Sequence, residues 1–202
     1  MRTLVKISVF FAFVVIVLGA FTRLTEAGLG CPDWPGCYGF LKVPSQEEHI
    51  VQAELRFPDA PVEQDKAWNE MIHRYFAGTL GILILVIAVA SWIRSRKPSH
   101  YPPPVKLPTL LLGLVIFQAA LGMWTVTMNL QPLIVMGHLL GGFSVISLLY
   151  LLSLRLSDFR LAGGDPELRR YRGLALFAML VVIGQIALGG WVAANYAAVA
   201  CT

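Results

Sequence analysis

Charge is scarce in this chain. Only 14% of its 202 residues are Asp, Glu, Lys or Arg, against 56% hydrophobic, a balance that points to burial in lipid rather than to a surface that meets water on all sides. Histidine occurs four times and cysteine three times. The chain has no glycine-rich phosphate loop, no zinc-finger spacing and no basic patch interleaved with aromatics. Those absences remove phosphate-loop nucleotide enzymes, zinc domains and nucleic-acid readers. The net charge of +4 therefore reads as Arg and Lys gathered at one membrane face, not as the footprint of a polyanion.

Long apolar runs are what the chain has instead. Five are long enough to cross a hydrocarbon core of about 30 Å, which takes roughly 20 helical residues. They are Leu4–Thr22, Trp68–Ile93, Leu107–Asn129, Leu133–Leu154 and Gly173–Asn195. The expected fold is all-α, a polytopic integral membrane bundle. Loop charge sets its orientation. Arg2 and Lys6 precede the first span; Arg94, Arg96, Lys97 and Lys106 follow the second; Arg155, Arg160, Arg169, Arg170 and Arg172 outnumber Asp158, Asp165 and Glu167 after the fourth. Between Thr22 and Ala67, by contrast, eight acids face four bases. The N-terminus is thus expected in the cytoplasm and loop 23–67 outside, as in a bacterial-type plasma membrane. No small-x-small cleavage site follows Phe21, so the first run is read as a retained helix rather than a signal peptide.

The external loop opens with Gly28-Leu-Gly-Cys-Pro-Asp-Trp-Pro-Gly-Cys37, where proline and glycine exclude regular helix. Cys31 and Cys37 lie on the oxidising side, where a disulfide is expected; a structural staple and a redox-active pair both remain open. The stretch from Lys42 to Lys66 reads as polar, acidic loop, with His49 solvated in it and His100 equally ordinary in the next loop. Gly19 and Ala20, late in the first span, read as helix packing. Arg23 either snorkels to lipid headgroups or meets an anionic ligand.

Ionisable groups at membrane depth usually have a partner and a job. Glu70, His73 and Arg74 lie within the opening turns of the second span, and His138 lies in the fourth. His73 is five residues inside Trp68 and His138 six inside Pro132, so each is about 8–9 Å along a helix running inward from the same face. Two imidazoles at one depth can hold both axial positions of a heme iron, with Gly137, Gly141 and Gly142 leaving room for a flat ring. Arg23 and Arg74 would meet its propionates. Two histidines with Glu70 also match the donor types of a non-heme iron facial triad. Glu70, one turn outward from His73, would supply the acid–base group that separates an enzyme from an electron carrier.

A motif recurs. Gln118-Ala-Ala-Leu-Gly-Met-Trp124 in the third span matches Gln185-Ile-Ala-Leu-Gly-Gly-Trp191 in the fifth. Leu18-Gly19 and Cys31 recur as Leu188-Gly189 and Cys201 at a constant offset of 170 residues. Residues 1–155 are accordingly expected to form a four-helix heme-binding unit, 156–172 a cytoplasmic linker, and 173–202 the first helix of a second, parallel copy. The chain is expected to be a truncated form or fragment of a roughly doubled protein, with Cys201 an orphan thiol.

Arg23-Leu-Thr-Glu-Ala-Gly-Leu-Gly-Cys-Pro-Asp-Trp-Pro-Gly-Cys37, Glu70-Met-Ile-His-Arg74, Gly137-His138 and the Gln-x-x-Leu-Gly-x-Trp helices together resemble the heme A synthase family over essentially the whole chain. The resemblance implies an eight-helix membrane oxidoreductase, built of two halves, that converts a methyl group of heme O to the formyl group of heme A for the terminal oxidase. It implies substrate heme between His73 and His138, Glu70 as catalytic group, Cys31 and Cys37 as the external pair, and a heme b cofactor held by histidines of a second half that lies beyond this chain. Heme O synthase, terminal-oxidase assembly and a second copy of the chain are the implied protein partners, alongside membrane lipid. A bis-histidine module for electron transfer or heme delivery, without catalysis, is the alternative.

Overall fold

A computed structural model of the chain describes residues 1–96, 103–157 and 169–197. Among these, six α-helices occur and no strand: α1 (Arg2–Leu24), α2 (Glu47–Arg56), α3 (Gln64–Ser95), α4 (Lys106–Thr127), α5 (Pro132–Arg155) and α6 (Arg172–Ala194). All but α2 are long and apolar enough to span a membrane. The expectations for His100, for most of linker 156–172 and for Cys201 fall outside the described residues.

The helix ends follow local chemistry. Asn129 and Leu130 adopt left-handed backbone, φ 49° and 57°, and Leu130 N–H donates back to the Thr125 carbonyl at 2.8 Å. That turn stops α4 at Thr127, two residues short of the expected Asn129, and Pro132 opens α5 with its φ already helical. Helix α3 starts four residues before the expected Trp68, because the polar segment Gln64-Asp65-Lys66, with Asp65 in the first turn, continues the helix out of the apolar run.

Four helices close a ring in which α1 and α4 each lie against both α3 and α5. Helices α3 and α5 are therefore diagonal partners, as are α1 and α4. Packing gathers toward the end of the ring that carries the N-terminus: Val5 and Ala12 of α1, Leu80, Ile84 and Ile87 of α3, Leu107 and Leu111 of α4, and Val145, Leu149 and Leu152 of α5 form one buried cluster. In lipid such a cluster is held by close van der Waals contact rather than by escape from water. Arg2 Nε donates to the Leu156 carbonyl at 2.6 Å and ties the inner ends of α1 and α5. Helix α6 stands outside the ring against α5, with Gly190 backed onto Met136 and Leu139.

The long loop departs from the reading as plain polar chain. Residues 47–56 form α2, with Glu47 and Glu48 in its first turn and Arg56 in its last, each favourable to the helix dipole. A second core gathers Cys31, Cys37, Tyr38, Val43 and Ala53 against Ala67 and Met71 at the outer end of α3. This cap meets water, so burying its larger apolar side chains is worth about 1.5–3 kcal/mol each. His49 is half-buried on α2 rather than solvated, its ring 4.8 Å from that of Phe40.

Candidate functional site

The two intramembrane histidines sit in equivalent seats. His73 of α3 leans on α1 at Gly19, where an added Cβ would fall 3.0 Å from the imidazole Cε1. His138 of α5 leans on α4 at Gly122, at 3.4 Å by the same measure. Gly19 is five residues from the end of α1 (24 − 19), and Gly122 five from the end of α4 (127 − 122). That match puts both rings at one depth better than counting from helix starts, since α3 begins earlier than expected. Each ring also turns toward the main-chain carbonyl one turn before its glycine, Val15 for His73 and Gln118 for His138. Neither reaches hydrogen-bond geometry: Nδ1 of both rings is buried without a partner. Gly19 is thus more than the plain packing residue that the sequence suggests.

Glu70 and Arg74 face the other way along α3. Their side chains are only 6% and 12% exposed and form an ion pair. The second Glu70 oxygen accepts the Cys31 N–H at 2.9 Å. Arg74 donates to the carbonyls of Asp33 at 2.9 Å, Pro35 at 3.3 Å and Gly36. Cys31 and Cys37 are joined in a disulfide and are fully buried. The pair therefore clamps the disulfide loop onto the outer end of the bundle. Gly30 permits the approach, for a Cβ there would fall 2.5 Å from the Lys66 main chain. Arg23 points elsewhere: Nη2 donates to the Ala193 carbonyl and the guanidinium lies 3.8 Å from the centre of the Tyr196 ring.

No group of three His, Cys, Asp or Glu side chains converges among the described residues, so Glu70 does not join the imidazoles as a third ligand and the facial-triad geometry is absent. Two neutral nitrogen donors remain, projecting from diagonal helices at one level. Unpartnered imidazole nitrogens and glycine seats, on residues that stand apart from the main buried cluster, fit a bis-histidine heme.

One polar group went unassigned in the sequence. Gln118 is 8% exposed, and its Nε2 is buried without a hydrogen-bond partner. Its amide lies where a Cβ on Gly141 of α5 would be, 1.7 Å away. The repeated Gln-x-x-Leu-Gly motif marked the residue; only the packing reveals which way it faces.

Comparison with known proteins bears on the whole chain. A protein from Shewanella oneidensis, named heme A synthase, is 53% identical over 199 residues, covering 98% of this chain and 58% of its own length. Proteins of the same name from Rhizorhabdus wittichii and Shouchella clausii are 29% and 26% identical, covering 90% and 93% of this chain and 56% and 57% of theirs. The chain thus spans a little over half the length of these relatives. No solved structure matches it. The model of the COX15-CtaA family, described as cytochrome oxidase assembly protein, matches residues 2–202. With five membrane-spanning helices and a match along essentially its full length, this chain is an integral membrane protein that belongs to the COX15-CtaA family.

Proposed function

We propose that this chain forms the substrate-heme half of a heme A-forming oxidoreductase, in which a heme O methyl group becomes a formyl group. That conversion removes four electrons and inserts one oxygen. The observation that carries the reading is the pair of equivalent seats, His73 on Gly19 and His138 on Gly122. The relatives that share the chain are named heme A synthase, and a heme bound here would supply a redox-active iron in a conjugated ring whose substituent is the group oxidised. His73 and His138 would hold the iron. Glu70 serves as the acid–base group one turn outward, and Arg74 both balances its charge and fixes the loop over the outer mouth.

In this reading α6 is the first helix of a second copy, whose histidines hold heme b. The N-terminus is cytoplasmic and the disulfide cap external, in a bacterial-type plasma membrane. Heme O synthase upstream and the terminal oxidase downstream are the fitting partners.

A second reading, a bis-histidine module that carries electrons or delivers heme, is favoured by one observation: both Glu70 oxygens are already engaged, by Arg74 and the Cys31 N–H. Resonance Raman and optical spectra of the purified chain with added heme test the pocket. A six-coordinate low-spin signal that His73→Ala and His138→Ala each abolish is expected; uptake that ignores both substitutions sinks the proposal. Glu70→Gln then separates the readings, since an enzyme keeps heme and loses conversion while a carrier changes little.

A further inference from the structure

Among the described residues, one buried side-chain donor without a partner is left unused by the proposed chemistry, Gln118. Gln118 sits on α4 one turn inward of Gly122, and Gly141 sits on α5 one turn inward of His138. Residues at these spacings share a helix face. Gln118, Gly122, His138 and Gly141 therefore make one patch along the α4–α5 seam, with the Gln118 carbonyl beside the imidazole and its amide pressed on Gly141. The amide is more than nine-tenths buried and its Nε2 is unpartnered.

An unpaired amide in an apolar interior is costly, and lipid offers it no water. The pseudo-equivalent position beside the other histidine, Val15 of α1, needs no partner. The two seats are alike in backbone and in the glycine under the ring; they differ in this side chain and in Gly141, whose counterpart three residues after His73 is Phe76. A pocket built symmetrically for a flat ring thus carries a polar mark on one side only.

The charge of the seam limits what that mark meets. Apart from His138 and Tyr150, the ionisable residues of α4 and α5 are Lys106 and Arg155, both at the inner ends, so no cation lies along the seam. A propionate there would have no cation, whereas a neutral amide suits a neutral oxygen. We propose that the Gln118 amide donates a hydrogen bond to the oxygen carried by the oxidised substituent of the bound macrocycle. It thereby favours the hydroxylated or formylated ring over the methyl-bearing one. The inference rests on the heme reading above and adds a specificity-determining residue to it.

The test loads the purified full chain with heme A or with heme O and reads the formyl C=O stretch by resonance Raman, together with the ratio of the two affinities. In the wild type the stretch should lie below that of heme A in a non-hydrogen-bonding solvent. Gln118→Met removes the donor at nearly constant volume. Gly141→Ala keeps the donor but pushes it off its seat, and its collision is with the far end of a flexible side chain. Both should keep the six-coordinate spectrum and raise the stretch toward the free value. The preference for heme A should fall by about 3- to 10-fold, the worth of one neutral hydrogen bond. An unchanged stretch and ratio in both variants, with six-coordinate heme intact, overturns the role of Gln118 and leaves the histidine pocket standing. Absence of heme from the wild type, with His73→Ala and His138→Ala indistinguishable from it, overturns both together.

Discussion

At the scale of single residues, two glycines that look alike in the sequence carry different constraints. A methyl group on Gly19 would meet His73 Cε1 at 3.0 Å, closer than such contacts normally run, while on Gly122 it would meet His138 at an ordinary 3.4 Å. Gly19→Ala should therefore displace His73 and weaken or broaden the heme spectrum, and Gly122→Ala should leave it close to wild type; equal effects would show that the seats do not set the rings. The histidines themselves were legible because ionisable groups are expensive in a span. Gly19 was not, because a glycine late in a membrane helix has packing as its ordinary explanation. The direction in which Glu70 faces was equally hidden: its spacing of three from His73 is compatible with a shared pocket, and only the fold of the loop turns it toward Cys31.

Among the elements, the external cap is where sequence reading fell furthest short. The acid-rich start and basic end of α2 are helix signals, yet they were submerged in a segment whose overall composition is polar. The cap's own core explains how it stays on the bundle. Both cysteines are fully buried and Arg74 holds three carbonyls of their loop. A water-soluble reductant should open the disulfide slowly in the wild type and markedly faster in Arg74→Met. That variant also strands the buried Glu70 carboxylate, at a cost of about 3–5 kcal/mol. Thiol labelling over time reads the rate, and equal rates would mean that the clamp does not shield the bridge.

The same cap carries a pH limit. Burial, with nearby acids adding to it, raises the Tyr38 phenol above its usual 10.0, and its hydroxyl donates to the Pro61 carbonyl at 2.9 Å. A raised folded value means the contribution is whole below about pH 10 and fades as pH climbs toward the folded value. Protease sensitivity of loop 23–67 should therefore rise above pH 10 in the wild type, and this step should be missing from Tyr38→Phe.

For the whole molecule, the number and order of spans could be read from hydropathy alone, because lipid demands unbroken apolar helices. The pairing of helices could not. That α3 and α5 are diagonal, so that two histidines meet across the ring, depends on which faces interlock, and four nearly uniform apolar helices advertise no faces. The repeat was visible as a recurring Leu-Gly. Its spatial sense, a glycine five residues from the C-terminal end of the helix, holds for Gly19 in α1, Gly122 in α4 and also Gly189 in α6, which has open space over it.

The contact made by Arg23 has a consequence for how two equivalent helices can lie together. At the 170-residue offset, the counterpart of Arg23 is Ala193, and it is to the carbonyl of Ala193 that Arg23 donates. Counterpart residues that touch lie beside an axis of approximate two-fold symmetry, where each group faces its own image. A cation cannot face its image in a poorly screened setting without strong repulsion, so true symmetry is forbidden at this place and one arginine must give way to a small residue. Ala193→Arg restores the symmetry and should drive α6 from α1, seen as lost cross-linking between cysteines introduced at the two helix ends; Ala193→Ser should leave the cross-link intact. In the proposed repeat, divergence at this position is a condition for the two helices to meet.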